Sequence, residues 1–326
     1  SLALTLLAGL LLLGAPQARA QAYDPLAVAP GFEAGFEDVD AADADRSRTL
    51  PLRIYLPAET DPAPVILFSH GLGGSRTGSA FLGAHWSARG YAVVYVQHPG
   101  SDEAVWRDVP MRQRMGAMRE AASAENAVLR YQDIPFVIDQ LEIWNQKQGG
   151  RFENRFDLSL IGMSGHSFGA RTTQALAGQV LPGVGTRYAD PRINAALPMS
   201  PSSSNRRLSP QEQFGAVTRP WLLMTGTEDT APIGGETVED RLAVYEALPP
   251  GSKYQLVLDS GQHHAFTDGA LRRGLSERDP DHHPAILALS TAFWDAHLKG
   301  DPDARAWIDG EGPRSILDPR DDWQTK

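Results

Sequence analysis

The sequence predicts an α/β fold: a mostly parallel central sheet with helices on both faces. Three observations carry this. From Leu50 onward, apolar runs of strand length alternate with helix-length segments, the rhythm that builds a parallel sheet. Two runs, Val65-Ile66-Leu67-Phe68 and Tyr91-Ala92-Val93-Val94-Tyr95-Val96, are apolar throughout, as strands buried on both faces are. A third run, Leu158 to Met163, leads through Gly165-His166-Ser167-Phe168-Gly169 into a helix-friendly stretch from Ala170 to Ala177. That strand–turn–helix would hold Ser167 on a tight corner with its hydroxyl exposed.

The elements follow in order. Leu2 to Leu13 is apolar and of signal-peptide length, and Ala18-Arg19-Ala20 is a small-x-small site that predicts cleavage before Gln21. Residues 1–20 are therefore expected to be an export signal truncated at its start, with no stable membrane span once it is removed. Residues 21–49, rich in Ala, Asp and Pro, read as an irregular lead-in to a single domain over 50–326. Leu50 to Leu56 alternates like a half-exposed edge strand. Ala80 to Arg89 reads as a helix stopped by Gly90. Two helical segments are expected between Met111 and Gln148, the second capped by Asp133 with Pro135 in its first turn. Its residues Ile134, Val137, Leu141 and Trp144 recur at helical spacing and are assigned to the core. Further strands are expected at Ile193–Met199, Trp221–Thr225 and Tyr254–Leu258, with helices near 236–248 and 284–298. A small helical cap is expected within 103–131, where Met111, Met115 and Met118 either face a substrate or simply fill core.

Bulk composition narrows the function. The chain has 326 residues, 42% of them hydrophobic, enough for one large domain. Its formal charge of −10 and pI near 5.4 argue against nucleic acid or an anionic membrane as partner. It contains no cysteine, so a thiol nucleophile and disulfide staples are both excluded.

A Gly-x-Ser-x-Gly pattern alone is weak; its partners decide. Serine needs a neutral imidazole to take its proton, and the imidazole needs a carboxylate to orient it. In parallel sheets such residues sit just after the carboxyl ends of strands. Asp229 follows one expected strand, with Glu228 as its neighbour and competitor. His263 and His264 follow the next, and only one of the two can be aimed at Ser167. Oxyanion donors are expected from the backbone N–H of Phe168 and from the glycine-rich loop Ser69-His70-Gly71-Leu72-Gly73-Gly74, at Leu72. A phosphate-cradling role for that loop is disfavoured because it lacks the Lys-Ser/Thr pair. His98, His282 and His283 show no zinc-site spacing and are read as surface loop histidines, although His98 could also line the mouth of the site. No metal or organic cofactor is expected.

With these residues in place, the chain resembles the exported dienelactone-hydrolase-like α/β-hydrolases, a group related to platelet-activating-factor acetylhydrolases. The resemblance runs from about Leu50 to Leu298. It rests on Phe68 to Arg76, His98-Pro99-Gly100-Ser101-Asp102, Gly162 to Ala170, Met199-Ser200-Pro201 and Thr225-Gly226-Thr227-Glu228-Asp229. It implies an α/β-hydrolase fold, a nucleophile at Ser167, an acid at Asp229 and an oxyanion donor at Leu72. The relatives' histidine follows Gly-x-x and stands two residues before a Phe, which implies His264, between Gly261 and Phe266. The implied activity is serine-dependent cleavage of carboxylic esters, small or polymeric, with short-acyl esters foremost. Polyester and phospholipid acetyl esters are the nearest alternatives. A peptidase, an acyltransferase or a non-catalytic binding module are the rivals of another kind. The namesake enzymes use cysteine, so lactones are not implied.

Overall fold

The computed structural model describes residues 22–203, 207–231, 233–268 and 281–326. The expected signal segment thus lies outside the described residues. The order of elements is β1 (Phe36–Asp43), β2 (Arg48–Tyr55), β3 (Ala63–Ser69), α1 (Ala80–Ala88), β4 (Ala92–Val96), α2 (Ala104–Arg107), α3 (Met111–Ala121) and α4 (Ala124–Gln146). It continues with β5 (Phe156–His166), α5 (Phe168–Leu176), β6 (Ile193–Met199), α6 (Pro210–Phe214), β7 (Trp221–Glu228), α7 (Val238–Ala247) and β8 (Lys253–Gln262). A 3₁₀ turn over His263–Phe266 precedes α8 (His282–His297), α9 (Pro302–Asp309) and β9 (Asp322–Thr325).

The strands form one sheet in the order β1-β2-β4-β3-β5-β6-β7-β8-β9. The inner strands from β4 through β3 to β8 are parallel, and β1, β2 and β9 run antiparallel at the margins. Alternation along β3 shows why its sequence is apolar throughout. Ile66 and Phe68 point into a core with Trp86 of α1 and Phe293 of α8, while Val65 and Leu67 meet Ile134, Val137 and Leu141 of α4. Each such side chain, fully buried, contributes about 1.5–3 kcal/mol.

Four expectations change. Residues 21–49 are not wholly irregular, because β1 pairs with all of β2, Val39 opposite Leu52 and Ala41 opposite Leu50. It escapes detection because an outer strand carries charge to block further pairing, here Glu37, Asp38, Asp40 and Asp43. Consequently β2 alternates as expected but is not the edge. Asp133 is no helix cap: α4 begins ten residues earlier, where the Asn126 N–H donates to Ser123 Oγ at 3.1 Å, and Pro135 lies inside the helix. Asp133 mimics a cap in sequence but is buried mid-helix by cationic partners. Of the residues expected to form a cap, those from Ala124 on belong to a core helix, which leaves α2 and α3. Trp144 does pack into the core, against Phe152. Beyond the elements expected from the sequence lie α9 and β9, and Trp323 of β9 stacks on Tyr254 at a centroid distance of 5.8 Å.

Candidate active site

Ser167 stands between β5 and α5 with φ 57° and ψ −112°. A non-glycine residue there is strained, at a cost of about 1–3 kcal/mol. The corner is held by the Ser167 N–H donating to the Met199 carbonyl at 3.0 Å. Both flanking glycines are required by close approach: a β-carbon on Gly165 would stand 2.5 Å from Gly169 O, and one on Gly169 would stand 1.8 Å from Ser69 O. The strand–turn–helix expected from the sequence is therefore present in its details.

The structure brings Asp229 and His263 to this corner. His263 Nε2 lies 2.9 Å from Ser167 Oγ, and His263 Nδ1 lies 2.7 Å from Asp229 Oδ1. A carboxylate can only accept, so Nδ1 carries the proton and Nε2 is left to accept from the serine hydroxyl. His264, the histidine implied by the resemblance, is not at the serine; its carbonyl accepts from the Thr267 N–H and hydroxyl at 3.1 and 3.0 Å. The reason is one of register. The 3₁₀ turn starts directly after β8, so its first residue, His263, faces the sheet's carboxyl end, and the next is rotated away.

Asp229 is fully buried, directly beyond β7. Thr225 Oγ1 donates to its Oδ2 at 2.9 Å, and Arg241 Nε reaches Oδ1 at 3.1 Å and the Asp229 carbonyl at 2.7 Å. Burial alone would raise its pKa, but the His263 hydrogen bond and the Arg241 charge outweigh this and hold it at about 2. Glu228 instead points outward and accepts from Gln262 Nε2 at 2.9 Å. Arg241 also donates to the carbonyls of Ser200 and Pro201, tying the loops after β6 and β7 together. His166 backs the arrangement: its ring lies 4.6 Å from that of His263, and burial pushes its pKa down to about 3. It is thus a neutral wall for the His263 ring.

Two clefts meet at Ser167. One, of about 270 Å³, is lined by Ala124, Ala127, Tyr131, Arg171, Glu236 and Arg241, apolar and polar in like measure. The other, of about 250 Å³, is lined by Phe68, Met118, Ile233, His263 and the glycine-rich loop from Gly71 to Gly74. Leu72 and Ser167 border both. Phe168, bordering the first, is the first residue of α5, where an N–H has no partner within its own helix. Of the cap methionines, Met118 lines a cleft whereas Met111 and Met115 are exposed, so none is simple core filling.

A second Ser–His–Asp chain lies behind the first. Asp133 Oδ2 accepts from His98 Nδ1 at 2.8 Å, and Ser69 Oγ donates to His98 Nε2 at 2.9 Å. All three side chains are fully buried, so no substrate reaches them. Burial would raise the Asp133 pKa, but His98 and the Arg48 guanidinium, with Nε 2.9 Å away, hold it at about 2. His98 is thus neither a surface histidine nor part of the mouth. His282 is buried too, its Nε2 3.0 Å from the Asp259 carbonyl. Nothing in the spacing of His98 and Asp133, 35 positions apart, marks them as partners; the contact exists because α4 crosses behind β3 and β4. Among the described residues no helix is long and apolar enough to cross a membrane.

Known proteins match this picture. Residues 53–134 match the family described as platelet-activating factor acetylhydrolase, isoform II, a stretch that contains the Leu72 loop and ends before Ser167. The chain is also 26% identical to a cutinase of Thermobifida alba over 213 residues, which is 65% of this chain and 56% of that protein. The chain thus spans little more than half the length of that relative. Taken with the sheet order and the strand–turn–helix at Ser167, these matches make the chain an α/β-hydrolase related to the platelet-activating-factor acetylhydrolases.

Proposed function

We propose that this protein hydrolyses carboxylic esters through an acyl-enzyme on Ser167. The observation that carries the reading is the unbroken hydrogen-bonded chain Ser167–His263–Asp229 on a strained corner where two clefts meet. His263 takes the serine proton as Ser167 attacks the ester carbonyl. The N–H groups of Leu72 and Phe168 bind the oxyanion of the tetrahedral intermediate. His263 then protonates the departing alcohol, and a water, activated by the same histidine, releases the acid. Asp229 stays ionised and stabilises the imidazolium that forms in each half-reaction.

The clefts divide the substrate. The leaving alcohol must be within reach of His263, which borders the cleft with Phe68, Met118 and Ile233. The acyl group then occupies the cleft with Ala124, Tyr131 and Arg171. Each is smaller than the about 300–1,000 Å³ that drug-sized ligands fill, which favours short groups on both sides of the ester. The resemblance to a cutinase supports including polyester among the substrates examined, and the family match supports phospholipid acetyl esters.

The test is hydrolysis of a p-nitrophenyl ester series from acetate to octanoate, beside a casein digest, by wild type and Ser167→Ala. We expect release from the shorter esters by wild type alone. No ester cleavage by wild type, or equal cleavage by both proteins, removes the esterase reading, and casein cleavage without ester cleavage replaces it with a peptidase. Export is proposed separately from residues 1–20, and recovery of the unprocessed chain in the cytosolic fraction of a producing cell would count against it.

A further inference from the structure

Arg130 is a buried cation beside the site that the proposed reaction does not use. It lies on α4, fully buried, yet no carboxylate among the described residues is within ion-pair distance of it. Burying a guanidinium without a paired anion is costly and is rarely retained for stability alone. Asp133 and Asp102 act on it only from a distance, and burial pulls its pKa down.

Its donors are spent on the loops that frame the oxyanion. Arg130 Nη1 donates to the His70 carbonyl at 2.6 Å and reaches Ser69 Oγ at 3.4 Å. Nε donates to Ser101 Oγ at 2.8 Å and Nη2 to the Ser101 carbonyl at 3.3 Å, the same carbonyl that accepts the Gly73 N–H at 2.8 Å. On its other side the guanidinium carbon lies 4.3 Å from the centre of the Phe168 ring. One buried fork therefore touches both segments to which the esterase reading assigns the oxyanion donors.

The link to Leu72 runs through one peptide plane. The His98 N–H donates to His70 Nε2 at 3.0 Å, which forces the His70 proton onto Nδ1. Nδ1 then donates to the Gly71 carbonyl at 2.6 Å, which also accepts the Gly74 N–H at 3.0 Å. Arg130 Nη2, 3.4 Å from Nδ1, meets an N–H there and not a lone pair. Across a trans peptide the C=O and N–H point in opposite directions. Fixing the Gly71 carbonyl toward His70 thus fixes the Leu72 N–H away from it.

We propose that Arg130 is a positioning residue of the oxyanion site, clamping the His70 carbonyl and the Phe168 ring so that the Leu72 and Phe168 N–H groups keep one mutual geometry. The inference rests on the esterase reading above. Its test uses the full chain with Arg130→Met, which keeps an unbranched apolar stem and removes both charge and fork, and Arg130→Lys, which keeps only a point charge. Steady-state kinetics, thermal unfolding and the affinity for phenylboronic acid, whose serine adduct is tetrahedral, are read for each. Arg130→Met should lose kcat by about 10²-fold, the scale of one lost oxyanion donor, with KM within about threefold and boronate affinity falling in step. Its thermal midpoint should hold or rise, because replacing a buried charge with an apolar chain is often neutral or stabilising. Arg130→Lys should fall between the two proteins, and it carries the test if the Met variant does not fold.

A folded variant with wild-type kcat and boronate affinity, or a loss confined to KM, overturns the proposal. Wild-type hydrolysis abolished in Ser167→Ala secures the underlying reading, so a failure at Arg130 against that background counts against the clamp alone.

Discussion

Gly169 and Ser69 touch so closely that a β-carbon on the glycine would lie 1.8 Å from the Ser69 carbonyl oxygen. This single contact presses the first turn of α5 onto the end of β3, and it joins the corner bearing Ser167 to the loop bearing Leu72. Because the obstacle is backbone, no side-chain rotation relieves it. Gly169→Ala should therefore lose ester hydrolysis and unfold at a clearly lower temperature than wild type. Gly116→Ala is the control: on α3 its β-carbon would meet nothing within 4 Å. There the added methyl should raise stability by about 0.5–1 kcal/mol and leave kcat unchanged. Circular-dichroism melts of both variants check the pair, and equal melting of Gly169→Ala and wild type would refute the first half.

His263 and His264 differ only in which one faces Ser167, so their alanine variants should separate cleanly. His263→Ala should lose kcat by about 10⁶-fold, as when the histidine of such a triad is removed. His264→Ala should keep kcat within a few-fold, since it is His263 whose Nε2 meets Ser167 Oγ and whose Nδ1 meets Asp229. The p-nitrophenyl acetate rate of each purified variant decides, and a dead His264→Ala beside an active His263→Ala would reverse the assignment.

What was legible in the sequence follows from which interactions are local. The elbow was readable because steric demand puts glycines at fixed offsets from Ser167. Asp229 was readable because it directly follows an apolar strand. The choice between His263 and His264 was not, since it depends on where β8 stops pairing and the turn starts, a matter of register set by β7. The buried chain Ser69–His98–Asp133 and the Arg130 clamp were hidden for a related reason. Their members lie on three separate elements and meet only through packing of α4 beneath the sheet. Asp133 was worse than hidden, because Asp-x-Pro looks like a helix start whenever its tertiary partners are out of view.

Met118 lines the cleft assigned to the leaving alcohol, together with Ile233 and His263, while Trp106, on the same cap, anchors to the Gly73 carbonyl through Nε1 at 2.7 Å. Met118→Ala should therefore raise kcat/KM for acetates of bulky alcohols relative to ethyl acetate, by about tenfold, without changing the ranking of acyl chains on a fixed alcohol. Because Met118 is only half-buried, its removal should cost little stability. A changed acyl ranking with an unchanged alcohol ranking would exchange the roles of the two clefts.

Acid should unfold this protein in two stages. Burial holds His98 and His297 down at about pKa 4 and His166 at about 3, well below the 6.5 of an exposed imidazole. Between pH 6.5 and about 4 the unfolded chain binds these protons and the folded one does not. Stability is then fully present above pH 6.5 and falls as pH drops, by up to about 1.4 kcal/mol per pH unit for each histidine. A second loss follows from Asp133 and Asp229, whose folded pKa values near 2 lie below the ordinary 3.8. Their contribution is complete above about pH 4 and disappears as pH falls toward 2, where the folded carboxylates take up protons too. His166→Gln should flatten the first stage and leave the second, because it removes one neutral buried imidazole without touching either carboxylate. Urea unfolding midpoints from pH 8 to pH 2 measure both stages, and a midpoint constant between pH 6.5 and 4.5 would show that these imidazoles are not held neutral by the fold.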